Sequence, residues 1–329
     1  MSGKTCSRPM WAGAWCVGSS RNWLVLLDIN GSPFLLNPSS ATFIHFPPFP
    51  HTFIHPVEHS YFVQFLQKTF VSKVALMCST SPLHYTLAIL YGCPCKLALC
   101  KSNTWVKISD AKSFYSDIVF SNNYLYALAE DGSVDAWDIW QRIPRKILDV
   151  KPTIERAEEE DREFPRDNFS TQLYLVISEG DLLLVKRYIG NFVNADGEVL
   201  KEEPDTVCLY RTKHFIVYKL DLRKIKWQKI RSLRNKVLFL GANESTSVPS
   251  QALSGYEANS IYFTDDRWEE MNLDWSYGGH DWGVFNLQNK SVKLFTPYEI
   301  KINSPPIWVV PTTKENSAID HFGELHVST

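Results

Sequence analysis

Leu238-Phe239-Leu240-Gly241, then Asn259-Ser260-Ile261-Tyr262-Phe263-Thr264-Asp265-Asp266, then Gly278-Gly279-His280-Asp281-Trp282-Gly283-Val284-Phe285, are three apolar runs, each stopped by Gly or by paired Asp. β-Branched and aromatic residues suit a pleated, half-buried surface, while Gly and Asp favour turns. This stretch therefore reads as strands joined by tight turns, and it sets the pattern for the rest of the chain.

Working outward, a motif recurs. Trp105-Val106-Lys107-Ile108 and Trp227-Gln228-Lys229-Ile230 share Trp-x-Lys-Ile, and Ser291-Val292-Lys293-Leu294-Phe295 is a looser echo. A strand with a large apolar ring on one side and Lys on the other fits the outermost strand of a β-propeller blade: the ring covers the neighbouring blade and the Lys faces water. Five sets of strands follow. The first runs from Ala14–Val17 through Trp23–Asp28 and Phe34–Asn37 to Thr42–Phe46, with an Asn30-Gly31 hairpin turn. The second has Val74–Cys78, Thr86–Tyr91, Lys96–Cys100 and Trp105–Ile108. The third has Ser116–Phe120, Tyr124–Ala129, Val134–Ile139 and Lys146–Val150, with a turn at Asp131-Gly132. The fourth has Gln172–Ser178, Asp181–Ile189, His214–Leu220 and Lys226–Lys229, and the fifth Val237–Leu240, Ser260–Phe263, Trp282–Asn286 and Val292–Phe295.

The expected fold is all-β, a propeller of four-stranded blades, five or six in number, closed between N- and C-terminal strands. Ile307–Val310 is the expected closing strand, because closure protects strand edges. The propeller should occupy 14–311, with tails at 1–13 and 312–329. Ser60–Ser72 could be a short helix. Arg156–Asp167 and Asn191–Asp205 carry too much charge to be buried and are expected to be exposed loops. A two-sheet sandwich or two β-domains are the alternatives; the repeated motif and even strand spacing favour the propeller.

Composition sets outer limits. The chain has 329 residues, 44% hydrophobic and 21% charged, which is globular. Its net charge of -2 gives no general attraction to nucleic acid or to an anionic membrane. Seven cysteines, an odd number in a long chain, do not describe a disulfide scaffold, and a reducing compartment suits them. No apolar run is long enough to span a bilayer. Met1–Trp15 lacks the apolar stretch of a secretory signal, so the expected location is intracellular, cytoplasm or nucleus; Lys4 and Arg8, without an acid beside them, leave an organelle open.

Little here points to chemistry. No Gly-x-Gly-x-x-Gly, P-loop or Gly-x-Ser-x-Gly elbow occurs. Cys93-Pro94-Cys95 with Cys100 is one thiol cluster without the second ligand pair that structural zinc requires. His45, His51, His55 and His59 are spread through a Pro-rich stretch. Adjacent strand residues point to opposite faces, so His280-Asp281 is not a catalytic pair, and Asp281 is expected on backbone amides at the turn. The acids sit mostly at hairpin turns, including Glu130-Asp131 and Asp265-Asp266. A propeller hydrolase instead needs carboxylates converging in the channel, ~5–9.5 Å apart. The basic run Lys219–Lys236, with Trp227 inside it, could neutralise phosphates and stack on a base, or be a solvated outer strand. No catalytic residue, cofactor or metal is expected. Tyr277, His280 and Asp281 are the expected interaction loop, together with 191–205.

Much of the chain also resembles the plant F-box/KIB-type β-propeller family. Val17-Gly18-Ser19-Ser20 and Trp23-Leu24-Val25-Leu26, then Phe34-Leu35-Leu36-Asn37-Pro38 and Phe46-Pro47-Pro48, look like its first blade and exit. Val217-Tyr218-Lys219-Leu220-Asp221 with Lys226-Trp227 looks like the blade that leads into Leu238–Gly241. Ile261-Tyr262-Phe263-Thr264-Asp265-Asp266 is the most specific match. The resemblance implies a non-catalytic domain that holds a protein for ubiquitination. Family members commonly begin with an F-box, a helical segment of ~40–50 residues that binds a Skp adaptor; no helix-period apolar pattern precedes the strands here. An unknown protein partner is therefore expected, and Skp adaptor binding is not.

Overall fold

The computed structural model describes residues 13–53, 69–78, 85–108, 114–151, 158–202, 209–267, 280–295 and 306–309. Three four-stranded antiparallel sheets come first, each built from consecutive strands. They are β1 (Trp15–Ser20) to β2 (Trp23–Leu27), β3 (Pro33–Asn37) and β4 (Thr42–His45); β5 (Val71–Cys78) to β6 (Tyr85–Tyr91), β7 (Lys96–Lys101) and β8 (Thr104–Lys107); and β9 (Tyr115–Ser121) to β10 (Tyr124–Ala129), β11 (Val134–Asp138) and β12 (Arg145–Val150). The turns use the expected chemistry. Gly31 and Gly132 take positive φ, and the carboxylates of Asp28 and Asp131 accept from amides just beyond them.

The fourth and fifth sets are joined rather than separate. β13 (Phe169–Ser178), β14 (Asp181–Val193), β15 (Leu209–Asp221) and β16 (Lys226–Ile230) share one nine-stranded sheet with β17 (Lys236–Leu240), β18 (Thr246–Pro249), β19 (Ser260–Phe263), β20 (Gly283–Asn286) and β21 (Ser291–Leu294). The bridge is β18, which pairs with β13 in parallel at Ile177 and Thr246 and with β17 in antiparallel register. β17 and β19 then run parallel. The sequence did not announce β18, because within Thr246–Pro249 only Val248 is buried and no alternating apolar pattern marks it.

The core lies between successive sheets. In β5, Val74 and Leu76 pack toward Trp23, Val25 and Leu27 of the first sheet. Ala75 and Met77 pack the other way, toward Ile118, Leu125 and Trp137 of the third. A strand's period of two thus serves two interfaces at once, which is why these strands read as near-continuous apolar runs. The same relation joins Val119 and Leu128 to Leu175 and Leu184, and Val176 and Val185 to Leu238 and Ile261. The outer-strand motif behaves as read: Trp105 packs on Phe49 and Phe53 and donates to the Pro47 carbonyl, Trp227 is buried, and Lys107 and Lys229 are exposed.

Residues 306–309 carry no strand, contrary to the expectation for Ile307–Val310. The Trp308 amide donates to Asn243 Oδ1 (3.2 Å) and its indole to the Leu240 carbonyl (2.9 Å), so its donors are committed outside any ladder. The Trp308 carbonyl accepts from Ser19 Oγ, and the Ser19 carbonyl from the Glu244 amide, which ties this region to β1.

Two expected loops are more ordered than their charge suggested. Within Arg156–Asp167 a short helix, α1 (Glu158–Glu163), forms. Glu160 is buried and accepts from Lys186 Nζ (3.0 Å) and from the hydroxyls of Tyr188 and Tyr218 (both 2.6 Å). Burial alone raises a carboxyl, but these three donors outweigh it and hold Glu160 below its ordinary value. In the second loop, β14 runs on to Val193 and a turn over Asn194–Glu198 brings Val199 back against Val193. Ser60–Ser72 lies largely outside the described residues, and its end belongs to β5. No helix among the described residues is long and apolar enough to cross a membrane.

Candidate interaction site

The starts of β1, β5 and β9, with Thr171–Leu173 of β13, face a cavity of about 720 Å³. Its charged lining is Lys73, Glu130, Asp266 and Arg267. Behind that wall lies a network the sequence reading did not foresee. Arg187, in the middle of β14, is fully buried. Its Nε donates to Thr212 Oγ1 (2.7 Å), its Nη1 to Tyr174 OH (2.9 Å) and the Thr264 carbonyl (3.0 Å), and its Nη2 to Asp281 Oδ2 (2.9 Å) and the Asp281 carbonyl (3.1 Å). The guanidinium lies 4.6 Å from the Phe263 ring centre. Burial would lower its pKa, yet Tyr174, Asp281 and Asp266 more than reverse that, and it stays charged.

Asp281 also accepts from the Thr212 amide (2.8 Å) and hydroxyl (2.7 Å). Asp265 accepts from Tyr210 OH and from the amides of His280 (3.0 Å) and Asp281 (3.1 Å). Burial and the neighbouring Asp281 carboxylate push Asp265 upward. Asp266 takes Tyr174 OH at 2.8 Å. The paired acids after β19 therefore hold β14, β15 and β20 together. A signal for this was present: Lys186-Arg187 interrupts the apolar runs Leu182–Val185 and Tyr188-Ile189, where an unpaired charge could not persist.

Of the expected interaction residues, Tyr277 lies outside the described residues. His280 is half-buried, and Asp281 is wholly buried. Asp281 was expected on amides at its own turn; its carboxylate instead accepts from the amide of Thr212, distant in β15, and from the buried Arg187.

A second buried pair borders the cavity. Lys73 Nζ donates to the Gly241 carbonyl (2.8 Å) and stands 3.4 Å from Asp117. Asp117 accepts from the Ile118 and Leu175 amides, and burial raises it despite Lys73. Nearby, Glu244 is hydrogen-bonded to Ser20 Oγ; burial, with Asp117 adding, pushes it up to about 7.

The remaining candidates are dispersed. Cys93 is exposed, Cys95 half-buried and Cys100 buried, and no metal-sized group of His, Cys, Asp or Glu exists among the described residues. His45 stacks on Phe34; His55 and His59 lie outside the described residues. In the basic run, Lys219 pairs with Asp181 and the buried Lys236 with Glu179. Trp227 belongs to the core and offers no ring for stacking on a base.

The KIB1-4 beta-propeller family matches residues 4–286. Among curated proteins of Arabidopsis thaliana, F-box protein SKIP23 is 26% identical over 239 residues, covering 70% of this chain and 54% of the relative. F-box protein At4g35733 is 29% identical over 176 residues, covering 52% and 44%. This chain spans about half the length of the curated relatives it matches. Among solved structures, the N-terminal domain of Nup159 aligns at 16% identity and a TM-score of 0.35, covering 66% of this chain and 47% of that one.

Proposed function

This chain belongs to the KIB1-4 beta-propeller family, and from that membership we propose that it is a non-catalytic, protein-binding propeller, akin to the substrate-recognition part of plant F-box ubiquitin-ligase subunits. The observation that carries the reading is how the buried acids are used. Asp117, Asp265 and Asp281 each accept from backbone amides and from Lys, Tyr or Arg side chains, so they hold strands in place instead of presenting paired carboxylates to a substrate. Relatives named as F-box proteins support a protein partner inside the cell. The domain is taken as 14–311, and the partner-facing loop as Tyr277 and His280, with Asp281 as its buried anchor.

The test is reconstitution. The chain is cross-linked in a plant extract, the retained protein is identified, and that protein is purified and titrated against the chain. Saturable binding of one partner is expected, with no hydrolysis of oligosaccharides by the chain alone. Turnover of a glycan that is lost on replacing Glu130 or Asp266 would replace this reading with an enzymatic one.

A further inference from the structure

The loop that joins β11 to β12, with the start of β12, exposes an unusual amount of apolar surface. Trp140 is 53% exposed, Ile143 74% and Ile147 49%, all within eight residues. Exposed single apolar residues are ordinary, but a Trp grouped with two Ile and flanked by Arg has the composition of an interface centre. The outer-strand tryptophans are not like this. Trp105 is covered by Phe49 and Phe53, and Trp227 is in the core. Over Trp140 lies the Lys101 ammonium rather than an aromatic pair, and about half of the residue stays exposed.

The loop is held in place rather than loose. Lys101 Nζ donates to the carbonyls of Ile139 (2.8 Å) and Trp140 (3.1 Å) and sits 5.2 Å from the Trp140 ring centre. Asp138 accepts from the Trp140 amide (3.0 Å) and from Gln141 (3.2 Å). A preorganised anchor loses little entropy on binding. Ile147 is displayed by a bulge: Trp137 pairs with Lys146 and Ala136 with Leu148, so Ile147 has no opposite residue.

Charge identifies the occupant. Arg142 and Arg145 are exposed and form no ion pair among the described residues, whereas the Asp138 carboxylate is spent on its own loop and Lys146 is paired with Asp135. A second copy of this chain is disfavoured, because it would set Arg against Arg across the contact, and the bulge interrupts edge-to-edge strand pairing. We propose that Trp140, Ile143 and Ile147, rimmed by Arg142 and Arg145, dock an acidic segment of a partner protein that carries an aromatic or aliphatic side chain. This rests on the protein-binding reading above and adds to its Tyr277–His280 loop a second surface with a stated partner chemistry.

The test pans the purified chain against a phage-displayed random-peptide library and titrates the most enriched sequence as a synthetic peptide. Acidic peptides with an apolar anchor are expected. Trp140→Ser, and Arg142→Glu with Arg145→Glu, should each weaken binding by about tenfold or more, as loss of an interface anchor does. Leu222→Ser, at the exposed turn after β15, should leave binding unchanged, and the melting temperature of every variant should match the native chain. Enriched peptides that bind the Trp140 variant as well as the native chain would overturn the surface assignment while leaving the protein-binding reading intact. No enriched peptide, a dimer that Trp140→Ser dissolves, or patch-dependent capture by phosphatidylserine vesicles in place of peptide would each overturn the proposal. The reconstitution experiment above separately decides whether the chain binds protein at all.

Discussion

The guanidinium of Arg187 and the carboxylate of Asp281 meet at 2.9 Å with neither side chain open to solvent, although 94 residues separate them in the chain. β14 and the entry to β20 are thereby locked by a charge pair with its hydrogen bonds satisfied by Thr212, Tyr174 and the Thr264 carbonyl. Removing one partner strands the other in a low-dielectric site.

Arg187→Ala should therefore cost about 3–5 kcal/mol in urea unfolding. Arg187→Lys should recover little of it, since one ammonium cannot reach donors' partners spread around a planar fork. Stability of Arg187→Lys equal to the native chain would show that the network contributes no more than a point charge.

Glu160→Ala should lose about 3–5 kcal/mol by removing the buried carboxylate to which Lys186, Tyr188 and Tyr218 all donate. The pH dependence has a definite sign. Glu160 is held below its ordinary value in the fold, so its contribution is present above the unfolded carboxyl pKa and disappears as pH falls through the folded one. The native chain should lose its advantage over Glu160→Gln on acidification below about pH 4.

Glu244 carries the opposite sign. Its pKa is raised to about 7 in the fold, so its contribution is full below the unfolded value and is lost as pH rises toward 7. The loss is on the order of 3 kcal/mol. Glu244→Gln should flatten this part of the profile and be the more stable form above pH 7; chemical denaturation of both chains from about pH 4 to 8 decides it.

Gly283→Ala should destabilise by about 1–3 kcal/mol. A methyl there would lie 2.3 Å from the Lys293 carbonyl oxygen, a backbone atom that cannot move without parting β20 from β21. A melting temperature unchanged from the native chain would rule out that close approach.

Exchanging the exposed Lys226, Lys229 and Arg231 for Ser should change stability by no more than about 0.5 kcal/mol. Native chain and variant should alike pass through a single-stranded DNA column at low salt. Retention of the native chain alone would restore the nucleic-acid reading that the burial of Trp227 weakens.

The sequence by itself determined most of the strands and their turns, and the family, but not β18. Strand residues alternate between two buried faces, and Asn-Gly and Asp-Gly mark hairpins through local backbone preference, so both are visible within a few residues of chain. Leu238–Leu240 and Ile261–Phe263 were legible in this way. Tertiary structure alone decided where the charges went. Arg187 finds Asp281, Glu160 finds Tyr188, Tyr218 and Lys186, and Lys73 finds Asp117 only after distant strands come together. The cost of burying a charge depends on partners that local pattern does not contain. The acidic run around Glu160 thus read as a loop and folded as a helix anchored in the core, and Trp140, in the turn after β11, stays half exposed beneath the Lys101 ammonium, whereas Trp105 packs on Phe49 and Phe53.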